Sequence, residues 1–336
     1  MNTESEALLR DALVWDNHAC MPLRPDDDSF LPQLERAHRV GVNAITLNIG
    51  FGQCSREQHL AVLRAFRRWI EARPEQYCLA NSVADIERAA GEGRLAVLFD
   101  IEGMALLDDG DLDLIDELRR QGVGWMLVAY NRANHAGGGC MDDEDPGLSE
   151  HGRRVLSRMR EVGMIACCSH TGHRTARDVI ENAGNPVIFS HSNAAAVHAH
   201  PRNIPDELAR ACAAGGGVVG VTGIGAFLGE GTDYAELLAR HVDHYVQLLG
   251  PAHVGLSLDY VYDQQELIDY LQGQPETFGS MGAIEEAIRM APPEVLPAFV
   301  DRLLGLGYDG SALAAILGGN WRRVASTVWE GRAGDG

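Results

Sequence analysis

The sequence predicts a single α/β domain over residues 1–336, a (β/α)8 barrel of the TIM type. Three observations predict it: eight short apolar runs, amphipathic stretches between them, and glycine recurring directly before a run. A chain of 336 residues that is 46% hydrophobic and carries 38 glycines has ample material for one such barrel.

The first strand is read in "ALVWD" near residue 14 and the second in "VNAITLNI" near 45. Ser55 and Gln58 then form a capping-box pair ahead of a helix whose Val62, Phe66, Trp69 and Ile70 share one face. "RLAVLFDIE" near 98 is the third strand and "GWMLVAYN" near 127 the fourth. The polar stretch over 131–152 that follows is the one long interruption, and its place after a strand predicts an active-site lid. A helix resumes in "RRVLSRMREVGM", where Val155, Met159 and Val162 recur at helical spacing and Gly163 supplies the stop. The last four strands are "MIACCSH" near 167, "PVIFSHS" near 188, "GVVGVTG" near 219 and "HVGLSLD" near 256.

Charge narrows the partners. With 28 basic residues against 48 acidic ones, the net charge is -20, so a phosphate backbone is repelled and nucleic acid is excluded. No apolar stretch reaches membrane-spanning length, and the acidic start does not read as an export signal, so the expectation is a cytoplasmic protein with no membrane partner. Seven irregularly spaced cysteines argue for free thiols or ligands rather than a disulfide framework.

In a barrel of this type the active site lies at the C-terminal ends of the strands. Those ends carry metal-ligand types: His18 and Cys20 on the first, Asp100 and Glu102 on the third, His170 on the fifth, His191 on the sixth and Asp259 on the eighth. Alternation along an extended strand turns His18 and Cys20 toward the same mouth. Glu102 follows the apolar "LAVLF" with no basic residue close by in sequence, and a buried carboxylate there needs a cation.

The stretches "DNHACMP", "DIEGMALL", "GLSEHGRRVLSRMREVGMIACCSHTG", "NPVIFSHSNAAAVHAHPRNIPDEL" and "HVGLSLDY" resemble the renal or membrane dipeptidases, a binuclear zinc branch of the amidohydrolase-type barrels. The resemblance implies hydrolysis of the amide bond of a dipeptide by metal-activated water. It implies that His18 and Glu102 hold one zinc ion, that Glu102 bridges to a second, and that His170 and His191 hold that second ion. Arg202 would grip the substrate carboxylate, and Asp259 would carry the proton between water and leaving amine. Tyr130 stands where better-known members have a histidine that contacts the substrate.

Two departures matter. Cys20 replaces the family's aspartate ligand on the first strand; a thiolate can bind zinc, or a neutral thiol can simply pack. After Asp259 the chain reads "YVYD" instead of a second aspartate and a glycine, so the loop is remodelled. Cys167, Cys168 and His173 flank His170 and read as packing or supporting groups. Two alternatives stay beside the dipeptidase reading: hydrolysis of another small carboxylated amide of the N-acyl amino acid type, and a non-catalytic binding relative with an incomplete metal site. The partner is then a small molecule, and a homodimer is the assembly the sequence leaves open.

Overall fold

The structure is a computed structural model and describes residues 3–52, 54–107, 110–278 and 288–331. Its parallel sheet contains β1 (Trp15–Cys20), β2 (Ala44–Phe51), β3 (Tyr77–Leu79), β4 (Leu95–Glu102) and β5 (Val123–Leu127). It continues with β6 (Ile165–Cys167), β7 (Ile188–Phe189), β8 (Val218–Val221), β9 (Val254–Leu256) and β10 (Tyr260–Val261). The order β10-β1-β2-β4-β5-β6-β7-β8-β9 is that of an α/β barrel of the TIM type, because β9 runs on into β10 and β10 pairs with β1. Closure is direct: at the seam Ser257 N donates to Val221 O on one side and Asp259 N donates to His18 O on the other, each at 3.0 Å.

All eight expected strands are present. Two details differ from expectation. β3 lies off the ring, paired only with β4, and three residues are too few to show a period in sequence. The eighth strand is split at Asp259, whose backbone is left-handed (φ 57°), and that conformation cannot continue a ladder.

The helices obey the local chemistry. Ser55 Oγ accepts from Gln58 N at the start of the helix Arg56–Glu71, which buries Val62, Phe66, Trp69 and Ile70. The helix Glu150–Val162 ends on Gly163 in the left-handed region (φ 71°), which costs a glycine little. Among the described residues no helix is long and apolar enough to cross a membrane.

The expected lid is a fixed loop. Asn134 Nδ2 donates to Val128 O (2.7 Å), Gly138 N to Thr175 Oγ1 (3.0 Å), and Cys140 N to His170 O (2.8 Å). Backbone bonds to the neighbouring strand end leave this segment little freedom to open. The pocket wall that the sequence reading missed comes instead from the helix Gln264–Gly273, through Leu267, Tyr270 and Leu271.

At the barrel floor Trp321 is buried, and its Nε1 donates to Leu256 O at 3.0 Å. A Cβ on Gly255 would stand 2.4 Å from that indole, so the strand must carry glycine there for the ring to seat. Trp321→Ala is expected to cost roughly 3–5 kcal/mol, from the cavity it leaves and the lost bond. Denaturant unfolding checks this through the midpoint.

Candidate metal centre

The site is built from strand ends. Alternation along β1 brings His18 and Cys20 to the mouth together, with Cys20 Sγ 3.6 Å from His18 Nε2. The same alternation on β4 places Asp100 one pleat below Glu102. Glu102 Oε1 lies 3.6 Å from His18 Nε2, 3.3 Å from His170 Nε2 and 3.3 Å from His191 Nε2. The Nε2 atoms of His170 and His191 are themselves 2.9 Å apart. Glu102 Oε1 is buried and has no hydrogen-bond partner.

Each imidazole is held by its other nitrogen. His18 Nδ1 donates to Asp100 Oδ2 at 3.0 Å, and Asn48 Nδ2 donates to the second Asp100 oxygen at 2.9 Å. His170 Nδ1 donates to Asn131 Oδ1 at 2.7 Å. His191 Nδ1 lies 2.8 Å from Ser190 Oγ, which in turn donates to Ser169 Oγ at 3.3 Å. With the Nδ1 side of each ring so engaged, the three Nε2 atoms point at the common centre.

Asp100 is therefore corrected from a ligand type at a strand end to the group that orients His18. Asn131, Asn48 and Ser190 were missed as functional residues because none is a ligand type. The signal that could have found Asn131 is its place at the end of "LVAYN", beside Tyr130. Cys167 is buried and donates to Ser190 Oγ at 3.1 Å, a supporting contact, and Cys168 packs against Ala176.

Electrostatics at the centre favour a cation. Burial pushes the Glu102 carboxyl up to about 8 and holds His170 and His191 well below the ordinary histidine range. Burial also opposes charge on His18, but Asp100 beside it, with Cys20 and Glu102, raises it well above that range. Two donor groups could hold an ion: Glu102, His170 and His191, and His18, His191 and Asp259. Imidazole and carboxylate donors of this kind suit zinc. An orphaned carboxylate oxygen facing the Nε2 atoms of three imidazoles is the arrangement a divalent cation would satisfy, so the residues fit a metal.

Cys20 stands beside both groups, its Sγ 3.7 Å from Asp259 Oδ1, with burial pushing its thiol up to about 12. Asp259 Oδ1 is 3.4 Å from His18 Nε2, and its Oδ2 accepts from Thr222 Oγ1 at 3.3 Å. Tyr130 stacks on His170, centroids 4.2 Å apart. Arg202 is only 3% exposed, so it is no surface ion-pair residue. Its guanidinium lies 5.2 Å from the Phe227 ring, Nη2 reaches His191 O at 3.5 Å, and Nε is buried without a partner. No carboxylate among the described residues lies within ion-pair distance of it. One cleft joins Cys20, Glu102, Tyr130, His170, Arg202 and Asp259, with the candidate metal centre at its base.

A closed parallel barrel with histidines and carboxylates converging at its strand ends defines the class: an α/β barrel of the TIM type with a candidate metal centre at its mouth. Within it, the chain belongs to the membrane dipeptidase family (peptidase family M19), whose model matches residues 29–272. The family is one of metal-dependent dipeptide hydrolases, and the chain is an enzyme of that class. It is 30% identical to the uncharacterized protein in the pqqA 5' region of Klebsiella pneumoniae over 263 residues, 75% of this chain and 89% of that one. It is 30% identical to dipeptidase verJ of Clonostachys rogersoniana over 264 residues, 78% of this chain but 62% of that longer protein. An amidohydrolase structure from Pseudomonas aeruginosa superposes with a TM-score of 0.88 at 23% identity, covering 97% of this chain and 99% of the other.

Asp100→Asn keeps the size of the group that holds His18 and removes its charge. Metal affinity is expected to fall by roughly 10–100-fold, the usual effect of losing such a supporting partner. Competition with a chromogenic chelator measures it, and unchanged affinity would remove Asp100 from that role.

Proposed function

We propose that the protein hydrolyses the amide bond of dipeptides at a two-zinc site. The observation that carries this reading is the partnerless Glu102 Oε1 ringed by the Nε2 atoms of His18, His170 and His191. Glu102, His170 and His191 would hold one ion, and His18 with Glu102 the other, where Cys20 offers a thiol beside Asp259. When bound, zinc would polarise the scissile carbonyl and lower the pKa of water toward neutrality.

The chain's own groups supply the rest. Arg202, buried and with no carboxylate at ion-pair distance among the described residues, would bind the substrate's terminal carboxylate through paired N–H donors. Asp259 faces the centre from a left-handed backbone, steadied by Thr222, and would carry a proton from the attacking water to the leaving amine. Tyr130, fixed against His170, would place its hydroxyl near the substrate carbonyl as a hydrogen-bond donor. Asp100, Asn131 and Ser190 keep the three imidazoles in the donor tautomer.

Removing metal with a chelator is expected to abolish hydrolysis of free dipeptides, and added zinc to restore it. Turnover by protein shown metal-free by elemental analysis would overturn the metal reading. Arg202→Ala is expected to raise KM by roughly 10–100-fold, the equivalent of one lost charged hydrogen-bonding group. Steady-state kinetics on free and C-amidated dipeptides checks it: equal cleavage of both by the unaltered enzyme would remove the carboxylate-binding role.

A further inference from the structure

A line of rings leads away from the centre. Tyr130 stacks on His170, Phe51 lies 5.0 Å from Tyr130, and Tyr270 meets Phe51 edge-on at 5.2 Å. Leu271 is buried against Phe51, Tyr130, Leu267 and Tyr270. All of them line the cleft that holds Glu102 and Arg202.

Ring topology sets the direction. Phe51 ends the second position of the barrel, β2, and Arg202 follows the sixth, β7, so the two stand across the mouth from one another. A dipeptide held at Arg202 by its carboxylate must extend its other end toward Phe51.

The polar groups on that far side are already engaged. Glu266 Oε1 accepts from Leu23 N at 3.1 Å, and its other oxygen lies 3.5 Å from Arg24 Nε. Asp263 accepts from Gln265 N and Glu266 N and pairs with Arg24 Nη2 at 3.0 Å. Among the described lining residues, the carboxylates outside the metal centre are therefore committed, and what this wall offers a substrate side chain is apolar surface.

We infer that Phe51, Leu267, Tyr270 and Leu271 form the subsite for the N-terminal residue, selecting dipeptides in which that residue carries a large apolar side chain. The inference rests on the dipeptidase reading and names its substrate class. Burial of an aliphatic or aromatic side chain against this wall contributes binding that glycine cannot gain and that an acidic side chain opposes through desolvation.

The test is a kinetic panel of X-Ala dipeptides on the zinc-loaded enzyme, with X as Gly, Asp, Leu or Phe, and of Gly-X peptides with the same residues in second place. kcat/KM for Leu-Ala and Phe-Ala is expected to exceed that for Gly-Ala by roughly tenfold or more, the usual worth of a filled apolar pocket. In Leu267→Asp and in Phe51→Ala that ratio is expected to fall toward one. A ratio of two substrates on one preparation is independent of the folded fraction, so a poorly folding variant does not blur the result. Equal rates across the X-Ala panel, or a preference that follows the second residue instead, would overturn the subsite while leaving the dipeptidase reading intact. Hydrolysis of none of the peptides would overturn both.

Discussion

The Glu102 carboxylate is the constraint around which the rest of the mouth is arranged. It sits at the end of the buried strand β4 with one oxygen facing three imidazoles and no donor to satisfy it. A desolvated carboxylate left in that state costs several kilocalories per mole unless a cation meets it. Every neighbouring device serves to keep the three imidazole nitrogens pointed inward. Asp100, Asn131 and Ser190 hold the far nitrogens, and Asn48 holds Asp100 in turn.

Backbone strain is concentrated at the same place. Among the described residues other than glycine, those with positive φ are Asn131, His170 and Asp259. Each lies at a strand end, and each has its side chain directed at the centre or at a histidine that faces it. A left-handed residue without a glycine's freedom costs of order 1–3 kcal/mol, and a fold retains it only where its surroundings over-determine it. The fixed loop over 131–148 has that function for His170: it supplies Asn131 to the ring and Cys140 N to the backbone carbonyl. What looks in sequence like a lid is the brace of a histidine.

Cys20 puts a thiol where the family resemblance expects an aspartate on the first strand. The thiol keeps its place at the mouth, near His18 and Asp259, because strand alternation fixes its direction whatever the side chain. Arg202 shows the complementary case. Its guanidinium is buried against Phe227, and the apolar wall across the ring makes the cleft polar at one end and apolar at the other.

By itself the sequence determined the barrel and the identity of the residues at its mouth. Short continuous apolar runs and period-3.6 helices are local signals, and eight such runs alternating with helices leave few other folds. His18, Cys20, Glu102, His170, His191 and Asp259 were legible because they are ligand types closing apolar strands. Only the tertiary structure decided their partnerships, because these residues lie up to hundreds of positions apart along the chain and local pattern carries no distance between them. It made Asp100 a support rather than a ligand, buried Arg202, broke the eighth strand at Asp259 and turned the long loop into a brace. It also brought the helix Gln264–Gly273 over the mouth, where closure of the ring sets Leu267 and Tyr270 beside Phe51. Proximity across a closed ring is a property of the assembled sheet, and no window of sequence contains it.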